Sequence, residues 1–335
     1  MKTTVIHHSA DFDGIFCREI ARKFLPSDTE FIGWDFKDKP LPIPDGKIYV
    51  MDLPLDRVFG FTFPIGPAPI DAVRQAFGTP GTELLFERVI WIDHHRTSID
   101  THPPTINGYR IDGVAACRLA WQWFQIPSGK FDGDIRANIA GTEVVNFSLP
   151  TKQDFIDRTV IEPLAVRLAG EYDIWDKRDP RAELFQHGLK SEELTPRTWA
   201  TLLGDEFIKG EICVDRLLKQ GEVLQFARAN EYRDVITQQG FDVQFEGLTF
   251  LACNSHELDI RSQLFEAGIQ PHHDALMGFT FNGKAKDWRV SLYHAPGKEH
   301  HDLSEIAKRY GGGGHRGACG FRLKGWTPLP SFVSP

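Results

Sequence analysis

Val89-Ile90-Trp91-Ile92-Asp93-His94-His95 is the stretch on which the fold of this chain turns. Four apolar residues in a row suit a strand covered on both faces, because a strand with one wet face alternates apolar with polar residues. The run stops on a carboxylate and two imidazoles. Upstream, Ile48-Tyr49-Val50 is a second such run and closes on Asp52, while residues 3–6 form a short β-prone run that leads into His7, Asp11 and Asp13. Residues 15–25 then place Ile15, Ile20, Ala21 and Phe24 on one helical face. Strand, loop and helix in that order build a mostly parallel sheet. Ligands of open α/β sheets collect beyond the carboxyl ends of the strands. Asp11, Asp52 and Asp93 all fall there.

With 335 residues the chain favours about two domains. The expected fold is α/β throughout. A Rossmann-like, mostly parallel domain occupies residues 1–178, a helical linker residues 179–240, and a smaller mixed α/β domain residues 241–325. Helices are expected over 113–124, 135–145 and 155–168, and a long one over 207–239. The second domain reads as strands at 241–245 and 248–253, a helix at 260–267, strands at 275–281 and 288–293, and a helix at 303–310. Residues 54–83 are rich in Pro and Gly and read as an inserted excursion with one short helix at 70–77. The Pro-rich C-terminal tail carries no structural expectation.

Hydrophobic residues at 41% and charged residues at 25% exclude global disorder. A net charge of -8 argues against a protein that grips long duplex nucleic acid, which takes many Lys and Arg contacts. It is compatible with a short nucleotide held in a cleft, and a carboxylate cluster that held cations would offset part of it. The five cysteines are scattered, odd in number and without a Cys-x-x-Cys pair, so reduced thiols are expected. The N-terminus has no signal-peptide pattern, and no apolar run approaches membrane-spanning length. A cytoplasmic protein without a membrane partner is the expectation, and nothing in the sequence favours one oligomeric state.

His7-x-x-x-Asp11-x-Asp13 follows the first strand, and Gly14 lets the chain enter the next helix without crowding. On its own this is equally a helix cap beside a surface histidine. Asp52 and Asp93-His94-His95 change the balance, because folding gathers all these carboxylates in one crevice. Charges of one sign so close together need compensation, and cations supply it.

Asp93-His94-His95 resembles the motif that names the DHH phosphoesterase family, and His7-x-x-x-Asp11-x-Asp13 resembles that family's first motif. Asp52 after its apolar strand is similar to the second, and Asp173 in Glu171-Tyr172-Asp173-Ile174-Trp175 to the fourth. Residues 311–320, Gly-Gly-Gly-Gly-His-Arg-Gly-Ala-Cys-Gly, resemble the glycine-rich signature of the domain associated with this family. The resemblance implies that His7 and Asp11 hold one metal and that Asp13, His94 and Asp173 hold another, with Asp52 bridging. It implies two Mn2+ ions, with Mg2+ or Co2+ as substitutes, and the oxygen and nitrogen donors without thiolate agree with that choice. Such a pair lowers the pKa of a water and neutralises phosphate oxygens. By the same resemblance His95 contacts the phosphate and assists the leaving group, although it could merely pack beside the cluster. Asp93 is expected to orient an imidazole, and His8 is left as a structural histidine.

The implied activity is nanoRNase-like, a phosphodiesterase and exonuclease acting on short oligonucleotides or linear dinucleotides. The alternatives are a cyclic-dinucleotide phosphodiesterase, a pAp phosphatase and a nucleotide-binding regulator without catalysis. Gly313, Gly314 and His315 are the expected contacts to the part of the substrate remote from the cleaved bond. Gly311 is also a candidate helix cap. Many relatives carry Ser-Leu-Arg where this chain reads Ser291-Leu292-Tyr293. Tyr293 either offers an aromatic face to a base or is a half-buried strand residue, and Arg289, Arg316 or Arg96 stands in for the missing charge.

Overall fold

The computed structural model describes residues 2–60, 88–102, 106–126, 134–139, 142–147, 149–176, 178–204, 207–255 and 260–325. The excursion expected at 54–83 lies outside them beyond residue 60, as does the C-terminal tail. The chain forms two units, Met1–Glu222 and Val223–Pro335.

The first unit contains, in order, β1 (Thr3–His8), α1 (Phe12–Phe24), β2 (Glu30–Trp34), β3 (Lys47–Met51), α2 (Leu55–Phe59), β4 (Val89–Asp93), α3 (Arg96–Thr101), β5 (Gly108–Arg110), α4 (Ala116–Gln125), β6 (Asp134–Ile139), β7 (Thr142–Phe147), α5 (Lys152–Asp157), α6 (Leu164–Asp173), α7 (Arg181–Lys190), α8 (Pro196–Leu202) and the first part of α9 (Phe207–Gln239). Five strands pair in the order β2-β1-β3-β4-β5, all parallel. The continuous apolar runs lie centrally, as two-sided burial requires. Val5, Tyr49, Met51, Ile90 and Ile92 pack against α1, α4 and α6, whereas Ile6, Ile48, Val50, Val89 and Trp91 build a second core on the opposite face. The strand order reverses between β1 and β3, the kind of switch point at whose carboxyl edge open α/β sheets bind ligands.

Two helical expectations in this unit fail. Residues 135–139 and 142–145 lie in the antiparallel strand pair β6–β7, in keeping with their Ile, Val and Thr content. The helix expected over 155–168 is two helices, α5 and α6. They are separated by Thr159, whose φ of 41° leaves the helical region, and by Pro163 at the N-cap of α6.

The second unit takes the end of α9 and then β8 (Phe241–Phe245), β9 (Leu248–Asn254), β10 (Ala275–Asn282), β11 (Asp287–His294), α10 (Leu303–Arg309), β12 (Gly313–His315) and β13 (Ala318–Lys324). Its mixed sheet runs β12-β13-β11-β10-β9-β8, with β9–β10 the one parallel pair. The helix expected at 260–267 is a single 3-10 turn, Ser262–Phe265. One face of the sheet packs under α10 through Val290, Leu292, Phe321, Leu303 and Ile306. The other is covered at β9 and β10 by Tyr232 and Ile236 of α9 with Ile260 and Phe265. Gly311, at φ 74°, ends α10: its N–H donates to the Lys308 carbonyl and that of Gly312 to the Ala307 carbonyl. This pair of bonds defines a left-handed glycine cap. No helix among the described residues is long and apolar enough to cross a membrane.

Candidate metal centre

Four carboxylates and two imidazoles meet at the carboxyl edge of the parallel sheet. Asp11 caps α1, its Oδ1 accepting the Gly14 N–H at 3.1 Å, while its Oδ2 lies 2.8 Å from His8 Nδ1. It therefore caps the helix and faces the cluster at once. A Cβ on Gly14 would stand 2.2 Å from the His8 carbonyl oxygen, so only glycine lets α1 begin this close to β1. Asp13, buried near the start of α1, accepts the Ala116 and Cys117 N–H groups at 2.8 Å each. These are the first amides of α4, whose positive dipole end favours a carboxylate. Asp52 leaves β3 at φ 59°, a left-handed conformation that Asp tolerates better than bulkier residues, and its N–H is tied to the Ile92 carbonyl at 2.9 Å. Asp173 is the last residue of α6.

The side chains converge in three groups, His8 with Asp11 and Asp52, Asp52 with His94 and His95, and Asp13 with His94 and Asp173, joined through Asp52 and His94. His94 Nε2 lies 3.3 Å from Asp52 Oδ1, 3.3 Å from Asp173 Oδ2 and 3.6 Å from Asp13 Oδ2. Asp52 turns its other oxygen to His8 Nδ1 at 3.4 Å. A ring nitrogen can share one hydrogen with one of these oxygens, yet His94 faces three. His8 is buried and neither of its ring nitrogens has an aligned hydrogen bond, despite the 2.8 Å approach of Asp11. Oxygen and nitrogen atoms that converge without hydrogen-bond alignment, with no thiolate among them, fit divalent cations.

The electrostatics carry the same signature. Burial pulls His94 down, but Asp52, Asp13 and Asp173 outweigh it and push the imidazole up to about 10. His8 is likewise pulled down by burial and pushed up to about 10 by Asp11 and Asp52. Burial first, then Asp52 and Asp173, raises Asp13 well above the usual carboxylate range. Burial and then Asp52 bring Asp173 to about 6. Asp52 itself is held at about 2, because its histidine neighbours outweigh the burial that would raise it. Without cations, the site stores positive charge as protons on its imidazoles.

His7, expected as a ligand, does not join the cluster, and His8 takes its place. Side chains alternate along a strand, so His7 shares the face of Val5 under α1. There its Nδ1–H donates to the His8 carbonyl at 2.8 Å, and a Cβ on Gly33 of β2 would come 3.6 Å from its ring. Burial holds it at about 4, with Arg18 and Arg22 of α1 adding to the effect. His8 ends the strand and reaches the open edge. The sequence held a signal for this choice in the parity with buried Val5.

Asp93 Oδ1 accepts the His94 and His95 N–H groups at 2.8 and 3.3 Å and lies 2.7 Å from His95 Nδ1. The buried carboxylate thus fixes the His95 ring with Nε2 turned away from Asp93. Arg110, paired with Asp93 across β4–β5 and stacked over Trp91 at 4.9 Å, places a buried positive charge beside it.

The other expected contacts are distributed differently. Arg96 is exposed and engages Asp100 at 2.7 Å and Asp112 at 3.3 Å. Tyr293 is a half-buried strand residue, its hydroxyl donating to the Ile260 carbonyl and its ring packed against the second unit's core. Gly313 and Gly314 pair with Gly320 and Cys319, and His315 is exposed on β12. The second unit also gathers Asp242, His272 and His273. His273 Nδ1 accepts the Gln270 N–H, so its Nε2 carries the hydrogen that Asp242 receives at 2.9 Å and has no lone pair for a metal.

No family model and no curated protein matches the sequence. Among solved structures the chain is similar to a pGpG-specific phosphodiesterase from Vibrio cholerae, with 13% identity and a TM-score of 0.44 over 97% of this chain and 94% of that one. An exopolyphosphatase-related protein from Bacteroides fragilis has 11% identity and a TM-score of 0.45 over 99% and 89% of the two chains. RecJ from Thermus thermophilus, in complex with Mn2+, has 13% identity and a TM-score of 0.46 over 96% of this chain and 50% of that one.

Proposed function

We propose that this chain is a two-metal phosphoesterase of the DHH family that hydrolyses phosphodiester bonds in short oligonucleotides or linear dinucleotides. The observation that carries this reading is the single His94 nitrogen facing Asp13, Asp52 and Asp173 while Asp52 also faces His8. His8, Asp11 and Asp52 would hold one Mn2+, and Asp13, His94, Asp173 and Asp52 the other. Bound there, the pair supplies a water of lowered pKa and neutralises phosphate oxygens.

The chain's own groups do the rest. His95 Nδ1 is committed to Asp93, a bond that raises the imidazole's pKa above its ordinary value. When the ring is protonated, its Nε2 donates to a phosphate oxygen or to the departing oxygen. Asp93 takes the Nδ1–H, fixes the ring's orientation and favours its protonated form, as a carboxylate behind a histidine does.

The test is to strip the protein of metal, restore Mn2+ and follow a labelled dinucleotide beside longer oligonucleotides, cyclic dinucleotides, pAp and pyrophosphate. Turnover of the linear dinucleotide is expected to appear with the metal. Full activity without divalent cation, or tight dinucleotide binding without turnover, overturns the proposal.

Metal uptake is also expected to release protons. His8 and His94 bind protons up to about 10 in the empty cluster, so a cation must displace them. Apparent affinity then rises with pH, by at least about tenfold per unit where one proton is displaced. Calorimetry in two buffers of different ionisation heat measures the proton count. An affinity that is flat from about pH 6 to about pH 9 contradicts the ligand set.

A further inference from the structure

β2 ends on Trp34, in register with His8 of β1, so the chain leaves it at the carboxyl edge where the acidic cluster stands. A tight turn follows. The Asp38 N–H donates to the Asp35 carbonyl at 2.7 Å, Asp38 Oδ2 accepts the Asp35 N–H at 2.8 Å, and Asp35 Oδ1 accepts the Phe36 N–H at 2.7 Å. These bonds fix Phe36 at the first corner of the turn. Its ring makes edge contacts with Trp34, 5.7 Å away at 67°, and with His8, 5.4 Å away at 71°. Trp34 is 3% exposed, yet Phe36 keeps 51% of its surface open. The same His8 ring turns Nδ1 to Asp11 at 2.8 Å and to Asp52 at 3.4 Å. One imidazole therefore separates an exposed aromatic ring from carboxylates proposed to hold metal.

We infer that Phe36 is a stacking platform for a nucleobase whose own phosphate is held at the metal centre, which rests on the proposed function in taking the ligand to be a nucleotide. A single apolar side chain on a surface is ordinary. This one is set apart by its contact with His8 and by a turn that fixes its backbone before any ligand arrives, so that binding has little left to order. Every base has a π-face, so stacking reads the presence of a base and not its identity. It gives a nucleotide an affinity that pyrophosphate cannot share.

The test titrates adenosine 5′-monophosphate and ribose 5-phosphate, which keeps the sugar and phosphate without the base, into the full Mn2+-loaded chain by calorimetry. The nucleotide is expected to bind more tightly. Phe36→Leu keeps apolar cover over Trp34 and His8 but has no aromatic face, so it is expected to cut that preference about tenfold. Ribose 5-phosphate should bind the variant as it binds the wild type. Phe36→Tyr restores the face and is expected to keep the preference.

A Phe36 that only covers Trp34 and His8 would lower the melting temperature of the leucine variant, or weaken both ligands equally, and leave the preference for the base intact. That result, or no preference in the wild type, overturns the inference. A Phe36-dependent base preference in a protein that cleaves no dinucleotide supports the platform and removes the hydrolase reading, whereas dinucleotide turnover without that preference overturns the platform alone.

Discussion

Asp52→Asn is expected to give a folded protein whose turnover falls roughly a thousandfold. Asp52 is the one carboxylate whose two oxygens face both imidazoles, His94 at 3.3 Å and His8 at 3.4 Å. Asparagine preserves its volume, keeps the N–H on Ile92 and tolerates the left-handed φ of 59°. Fold and charge are thereby separated. What disappears is the negative charge shared by both halves of the cluster, so metal content should fall along with kcat. The variant also removes the field that Asp52 exerts on Asp13 and Asp173, both of which it pushes upward. Circular dichroism and melting check the fold, elemental analysis the metal content, and a dinucleotide assay the rate. A correctly folded variant with near-normal turnover would exclude a shared role for Asp52.

The parts of the fold that are legible in the sequence are those in which local pattern and tertiary environment agree. Val89 to Asp93 and Ile48 to Asp52 read as central strands because burial on both faces leaves no reason for polar alternation. The 33-residue α9 is visible because few residues in it break a helix. Where the two diverge, sequence misleads. Residues 135–145 hold a run that periodicity alone cannot assign, and the β-branched residues within 135–139 and 142–145 decide for paired strands. Thr159 ends a helix through a backbone angle that no composition announces. The edge strands β2 and β5 pair on one side only and lack the continuous apolar run that marks their central neighbours. Of the residues that converge, Asp11 and Asp52 are legible from the strand ends, whereas Asp173, at the end of a helix, is reached only through the family resemblance. The setting of Tyr293 is not legible, since its partner, the Ile260 carbonyl, is 33 residues away and met only through the fold.

His8→Ala and His7→Ala should separate along the same line. Adjacent residues on a strand point to opposite faces, so one of the two imidazoles reaches the carboxyl edge and the other lies under α1. Losing His8 removes the nitrogen that faces Asp11 and Asp52 and takes a positive neighbour from both carboxylates when the metal is absent. Metal affinity should fall by several orders of magnitude, because an inner ligand is lost where even outer partners contribute about 10- to 100-fold. Losing His7 removes a buried ring and its bond to the His8 carbonyl, with no donor taken from the cluster. That variant should lose stability on the order of 2 kcal/mol and keep its metal. Paired melts and metal titrations read both effects. The decisive result is the pattern across the two variants: a His7 variant that folds yet cannot bind metal, beside a His8 variant that binds normally, would reverse the assignment and restore the motif spacing over the strand geometry.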